Sequence, residues 1–147
     1  MKFSAATLFA ATASAAVICR QSQSTVFAVS DFSAGCIPHS TQCLYSFAVI
    51  QPGTMETTPV NCTALVPANT DGTLPDVQEG TCGESSRTFS VARGTEGLTF
   101  VVSQPVTPSS NQSGTHLIPG DELVIANNPN AVVESYTGPT SFNLTYF

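Results

Sequence analysis

Two histidines, ten carboxylates and five cysteines carry the reactive side chains of this 147-residue sequence. His39 is followed directly by Ser40 inside a Pro-His-Ser turn signal, and His116 opens a strand-like stretch. Nucleophilic catalysis needs a base held across the fold by a third group, so an adjacent Ser does not make a triad. No Gly-x-Ser-x-Gly elbow is present. The plainer reading is that both are turn or surface histidines. Glycoside hydrolysis needs two carboxylates facing across a cleft. Asp71, Asp76, Glu79 and Glu84 lie close in sequence, and Asp121 adjoins Glu122. Solvated turn and edge-strand acids account for both sets more simply. The absence of Trp removes the usual sugar-stacking platform. Asp121, Glu122 and His116 match no metal-ligand spacing, and no glycine loop suited to phosphate is present. The expectation is a non-enzyme without cofactor or metal.

The cysteines are Cys19, Cys36, Cys43, Cys62 and Cys82. No Cys-x-x-Cys pair and no suitably spaced His supports a zinc site. Four of them fall inside the expected domain, where three connectivities are open. Cys19 is the odd one, a candidate intermolecular thiol near the mature N-terminus. Three sequons occur, at Asn61, Asn111 and Asn143. Cys62 in the middle of the first disfavours it, which leaves Asn111 and Asn143 as the glycosylation candidates.

The opening residues read as a leader. Lys2 supplies the positive charge, Phe3 to Ala11 the short apolar run, and Ala13-Ser14-Ala15 the small-x-small cleavage pattern. Residues 1–15 are expected to be a signal peptide and 16–24 a flexible mature N-terminus. The apolar run is well short of the ~20 residues a membrane span needs, so the expectation is a secreted, extracellular protein without membrane insertion. With 4 Lys+Arg against 10 Asp+Glu, the net charge is −6, which excludes phosphate-backbone binding as a main activity. No nucleic-acid partner is expected. Hydrophobic residues make up 41%, enough for a packed core.

Helical spacing is nearly absent. Short β-branched and aromatic stretches recur between Pro, Gly, Asn and Asp. They place strands near 25–36, 42–51, 58–67, 74–83, 86–93, 97–104, 115–126 and 140–147. The stretch 104–114 reads as the longest loop. Two hairpins can be registered. A His39-Ser40 turn sets Phe32 opposite Phe47, Ala34 opposite Tyr45 and Cys36 opposite Cys43, with every apolar partner on one side. A Gly94-Thr95 turn sets Phe89 opposite Phe100, Val91 opposite Leu98, and Arg93 opposite Glu96 as an exposed ion pair. Directly opposed cysteines lie at about disulfide distance, so Cys36–Cys43 follows from the register and Cys62–Cys82 is the remaining pair. The fold class is all-β: a single compact antiparallel β-barrel or sandwich over residues 25–147, braced by two intrachain disulfides.

Four phrases add to this: Val29-Ser30-Asp31-Phe32-Ser33-Ala34-Gly35-Cys36, His39-Ser40-Thr41-Gln42-Cys43-Leu44-Tyr45-Ser46-Phe47, Glu84 to Val91, and Val102 to Asn111. Together they resemble fungal secreted proteins similar to the major Alternaria allergen, in the branch of small elicitors that provoke a hypersensitive response in plants. The resemblance spans roughly residues 25–147. It implies a compact β-barrel or sandwich with two intrachain disulfides, secretion from fungal cells, and no established enzymatic activity. It also implies recognition by a plant cell-surface or apoplastic protein, followed by cell death and induced resistance. In the allergen a cysteine near the mature N-terminus links a dimer; Cys19 is the position here that could take that part. The allergen has C-terminal cysteines, and this chain has none after Cys82, which favours the elicitor branch and a monomer over a disulfide-linked dimer. The competing readings are a secreted hydrolase and a cell-wall structural protein. For target contacts, the loops at 67–76 and 104–114 are expected to be the exposed elements.

Overall fold

The computed structural model describes residues 24–129 and 131–146. The leader at 1–15, most of the 16–24 segment and Cys19 lie outside the described residues. Ten strands and one short 3-10 turn make up the described chain. They are β1 (Thr25–Cys36), β2 (Gln42–Ile50), β3 (Val60–Pro67), β4 (Val77–Cys82), β5 (Thr88–Arg93), β6 (Gly97–Thr107) and β7 (Ser110–Pro119), then, after the 3-10 turn Gly120–Glu122, β8 (Leu123–Asn128), β9 (Ala131–Tyr136) and β10 (Phe142–Thr145). Strands β1 to β7 follow one another as an antiparallel meander, and β10 closes the sheet between β7 and β1. The result is a closed eight-strand barrel. The β8–β9 hairpin leaves the barrel and attaches to β1 through the Gly35–Ser135 pair. Closure gives every barrel strand a neighbour on both sides over at least part of its length; among the described residues β8 has β9 as its one strand neighbour.

Alternation builds the interior. Phe32, Ala34 and Cys36 of β1 and Cys43, Tyr45, Phe47 and Val49 of β2 are all buried, the faces that the first hairpin requires. Phe89, Val91, Leu98, Phe100 and Val102 fill the opposite wall. The aromatic rings meet edge to face: Phe47 and Phe100 at 5.0 Å, Phe47 and Phe89 at 4.9 Å, Phe32 and Phe100 at 5.4 Å. These geometries suit the ring quadrupoles. Both disulfides form as expected, Cys36–Cys43 and Cys62–Cys82, each across directly opposed strand positions.

The structure corrects several finer expectations. In the first hairpin Ala34 faces Tyr45 and Cys36 faces Cys43, but the ladder slips between Ser30 and Ser33. Asp31 takes a positive φ of 52°, and Phe32 N donates to Thr140 O at 2.9 Å instead of joining β2. This bulge turns one residue of β1 toward the segment before β10; the Phe32 and Phe47 rings remain 6.1 Å apart. In the second hairpin the two-residue turn is Thr95-Glu96, flanked by Gly94 and Gly97. Val91 therefore faces Phe100, Phe89 faces Val102 and Arg93 faces Leu98. Gly97 dictates this placement: it has φ 143°, and a Cβ there would lie 2.0 Å from Ile118 O. A two-residue slide keeps every side chain on its face, which is why the pattern alone did not reveal it. The 115–126 stretch is broken by the 3-10 turn, and β9 is an additional strand. The expected loop at 104–114 is instead the paired end of β6 and β7. The ladder of β6 with β5 ends at Ser103, so Pro105 falls where β6 has an open side, as proline in a sheet requires.

One end of the barrel is sealed by a polar plug. Arg87, 5% exposed, makes paired hydrogen bonds to Glu56 at 2.9 Å each, and its Nε donates to Gln104 at 2.8 Å. The guanidinium also sits 5.4 Å from the Phe27 ring centre. The hydrogen bonds from Arg87 hold the Glu56 carboxyl below its usual value; burial opposes this, and the Gln51 N–H supports it.

Two outcomes follow. Phe100→Ala removes the ring that four other phenylalanines, Phe32, Phe47, Phe89 and Phe142, touch and is expected to cost ~3–5 kcal/mol in urea unfolding; a loss under about 1 kcal/mol would contradict the packing. For Glu56, a lowered folded-state value means its stabilisation is complete above the unfolded value of ~4.3 and is lost as pH falls through the lowered one. Glu56→Ala is expected to cost ~3 kcal/mol at neutral pH by stranding a buried guanidinium and to flatten the acid limb of the stability–pH curve.

Candidate functional site

At the end opposite Arg87, three pieces of chain converge: the β1–β2 turn, the 68–76 loop and the β8–β9 hairpin. The 68–76 loop is built by short-range chemistry. Asp71 Oδ1 accepts from Thr73 N at 3.1 Å and from Thr73 Oγ1 at 2.6 Å, an Asx turn. These hydrogen bonds hold the Asp71 carboxyl below its ordinary value. Gly72 has φ 79°, and a Cβ there would lie 2.1 Å from Val132 O, so no other residue allows β9 this close.

Leu74 then drops into the barrel and is fully buried. Its backbone is clamped on both sides: Leu74 N donates to Glu134 Oε2 at 2.7 Å, and Arg93 Nη2 donates to Leu74 O at 3.0 Å. Arg93 and Glu134 form an ion pair. Arg93 N also donates to Asp76 at 2.8 Å, and Glu134 N to Gly72 O at 3.1 Å. The phenol of Tyr45, at the barrel centre, donates to Pro75 O at 2.8 Å. Burial is the main reason its ionisation is pushed up. Arg93 thus pairs with Glu134 of β9 and not with Glu96, because the hairpin register carries Glu96 into the turn.

Beside this clamp lies an open hollow of about 560 Å³, lined by Cys36, Ser40, Asn69, Asp71, Gly72 and Val132 among others. Among the described residues Asp71 is the one charged residue in its wall. On the outer face next to the hollow, successive cross-strand partners run Val124, Ser135, Gly35, Leu44, Leu65 from β8 to β3. Val124, Leu44 and Leu65 are exposed, as is Ile37 at the end of the same face. The adjoining outward residues Gln42, Ser46, Thr63 and Pro67 are uncharged.

The residues singled out from sequence are scattered. His39 occupies the β1–β2 turn with φ 60°. His116 stacks on Phe142 at 4.2 Å, in the seam between β7 and β10. Burial pushes its ionisation down, and the nearby Glu122 charge opposes this. The Glu122 carboxylate is buried beside the Tyr136 phenol, which donates instead to Pro139 O at 2.7 Å. Burial first, and Glu122 second, push Tyr136 up to about 12. So the structure brings His116 and Glu122 together, while Asp121 is exposed on the turn.

Asp71 and Asp76 stand at the hollow end, Glu79 on β4, and Glu84 in the turn at the Arg87 end. Of the four, only Asp71 lines the hollow. Among the described residues no group of three or more His, Cys, Asp or Glu could hold a metal ion. Asn61, Asn111 and Asn143 are all exposed. The expected contact loops do not share a surface: 67–76 is at the hollow end, whereas 104–114 is the hairpin at the Arg87 end. Six residues of β5 separate the ends by ~20 Å.

Leu74, Arg93 and Glu134 as one clamp were missed. The available signal was the turn-rich Asn-Asn-Pro-Asn followed by Ala-Val-Val, a hairpin pattern. No helix among the described residues is long and apolar enough to cross a membrane, and two intrachain disulfides suit an oxidising, extracellular setting. The chain matches no protein-family model and no curated protein.

The clamp yields a test. Glu134→Ala is expected to lower stability by ~2–3 kcal/mol, less than a fully buried pair would, because Arg93 retains one-third of its exposure. Amide exchange should accelerate first at Gly72 and Leu74. Unchanged exchange at both would show that β9 does not hold the loop.

Proposed function

We propose that the protein is a secreted fungal effector of the elicitor kind. It is a non-catalytic binding module, recognised by a plant cell-surface or apoplastic protein, and it induces hypersensitive-type cell death and defence responses. The observation that carries this reading is the outer row Val124–Leu44–Leu65, an exposed and uncharged strip beside an open hollow on an otherwise acidic protein. Aligned exposed apolar residues on a secreted domain are a mark of an interaction surface. The rigid scaffold beneath supports the same reading. A barrel interior filled by phenylalanine leaves recognition to the outside, and paired cysteines hold that outside in shape. The resemblance of four sequence phrases to the hypersensitive-response elicitors supplies the plant target class. The contact end in this reading is the hollow end, with the 67–76 loop, and the 104–114 hairpin stands apart from it.

The test is infiltration of purified protein into leaves. Wild type is expected to cause necrosis and defence-gene induction at micromolar dose. Burying one leucine is worth ~1.5–3 kcal/mol, so Leu44→Asp with Leu65→Asp should raise the effective dose at least ~10-fold. Both positions point outward, so unfolding curves should stay close to wild type. Absence of any response to the wild type would remove the elicitor reading; a full response from the double variant would move the contact elsewhere.

A further inference from the structure

The two disulfides differ in access. Both tie neighbouring antiparallel strands at directly opposed positions. Cys62 and Cys82 are both 0% exposed, and so is Cys43; Cys36 is 8% exposed and forms part of the hollow's wall. Thiol–disulfide exchange requires a thiolate to reach a sulfur atom, so access decides which bridge reacts. We infer that Cys36–Cys43 is a thiol-exchange site, opened to small thiols by the hollow, whereas Cys62–Cys82 is closed to them.

The chemistry of the wall defines the reagent. Ser40, Thr41 and Thr70 present hydroxyl groups, and among the described residues of the wall Asp71 presents the one charge, which is negative. A low-molecular-weight thiol that is neutral or carries an amine is therefore favoured over an anionic one. The thiolate attacks Cys36 Sγ, a new sulfur–sulfur bond forms to Cys36, the Cys36–Cys43 bond breaks, and Cys43 leaves as a thiolate that takes a proton from water. Thr73 O, 3.9 Å from Cys43 Sγ, can then accept from the new thiol. A second thiol attacks the mixed disulfide, releasing the small-molecule disulfide and Cys36 as a thiol. Two small thiols are oxidised and one protein disulfide is reduced.

The barrel is expected to survive this step. The β1–β2 ladder also runs through Ala28–Ile50 and Val29–Val49, far from the bridge. What changes is the Ile37–Thr41 turn and its hold on the 68–76 loop, where Ala68 N donates to Thr41 O at 2.9 Å. Exchange would thus act on the rim of the hollow and leave the core alone.

The test uses the folded full-length protein alone, so it is independent of any plant partner. Free thiols, Cys19 included, are first blocked with a maleimide. The protein is then exposed to cysteamine or glutathione at about pH 8, where thiolate is present, and new thiols are labelled and located by fragment-ion mass spectrometry. Cys36 and Cys43 should label at least ~10-fold faster than Cys62 and Cys82, with the transient adduct on Cys36. Cysteamine should outpace glutathione at equal thiolate concentration. Ser40→Trp, which narrows the hollow, should slow the first bridge several-fold and leave the second unchanged. If that variant misfolds, the wild-type rate ratio and the adduct position still decide. Equal rates for both bridges, earlier opening of Cys62–Cys82, or an adduct on Cys43 would overturn the inference.

Discussion

Closure of the barrel rests on a short strand. β10, only Phe142 to Thr145, pairs along β1 from Thr25 to Val29 and meets β7 at Thr145–Thr115. Without it, β1 and β7 would each present a row of unpaired backbone groups, and the phenylalanine interior would open to water on one side. The bulge at Asp31 serves this closure, since it frees the Phe32 N–H to reach Thr140 O just before β10. Where the ladder of β10 to β7 runs out, the stack of Phe142 on His116 fills the seam. Main-chain pairing and aromatic packing therefore share the task of keeping one cylinder shut.

A closed cylinder still has two ends, and each end buries one carboxylate–guanidinium pair. Arg87 immediately precedes β5 and Arg93 is its last residue, so the cations flank one strand. Their settings differ. Arg87 is buried and its partner Glu56 is partly exposed; Glu134 is buried and its partner Arg93 is partly exposed. A buried charge is tolerated only when paired and hydrogen-bonded, and both are. These two arginines are two of the 4 Lys and Arg residues in the sequence and the only two among the described residues, so the described outer surface is poor in positive charge because its cations sit at the barrel ends.

Period-two alternation made much of this fold legible in the sequence. It marked the buried faces of β1 and β2, and the opposed Cys36 and Cys43 fixed one disulfide. What it could not show were features set by distant neighbours. The register of the β5–β6 hairpin is decided by Gly97 lying against Ile118 O, and a slide by two leaves the alternation intact. The β9 strand was hidden because its buried centre is Glu134, an acid that reads as solvent-facing until Arg93 and the Leu74 amide are placed beside it. Pro105 and the serines of the β6–β7 end read as loop because composition does not reveal that a strand has an open side there. The hollow depends on Gly72 meeting Val132, a contact between segments sixty residues apart, and no local pattern announces it.

The two ends of the barrel differ in what they present to solvent. Among the described residues, phenylalanine rings from β1, β2, β5, β6 and β10 meet across the barrel interior, where barrels that hold a small molecule have a lumen. The Arg87 end is closed by a network in which Gln51 donates to Gln112 and Gln112 to Tyr146, so that end offers polar groups already engaged with one another. The other end is different in kind. Its loop is clamped from beneath by Arg93 and Glu134, yet its outer wall offers hydroxyls, one carboxylate, a strip of exposed leucine and valine, and an edge of Cys36. A clamp below and the Asp71 and Asn69 hydrogen bonds within the loop fix the shape of this surface in advance, and a preformed surface loses little ordering entropy on contact. The same clamp holds Leu74 through Glu134 and Arg93, and neither of these contacts passes through the Cys36–Cys43 bridge.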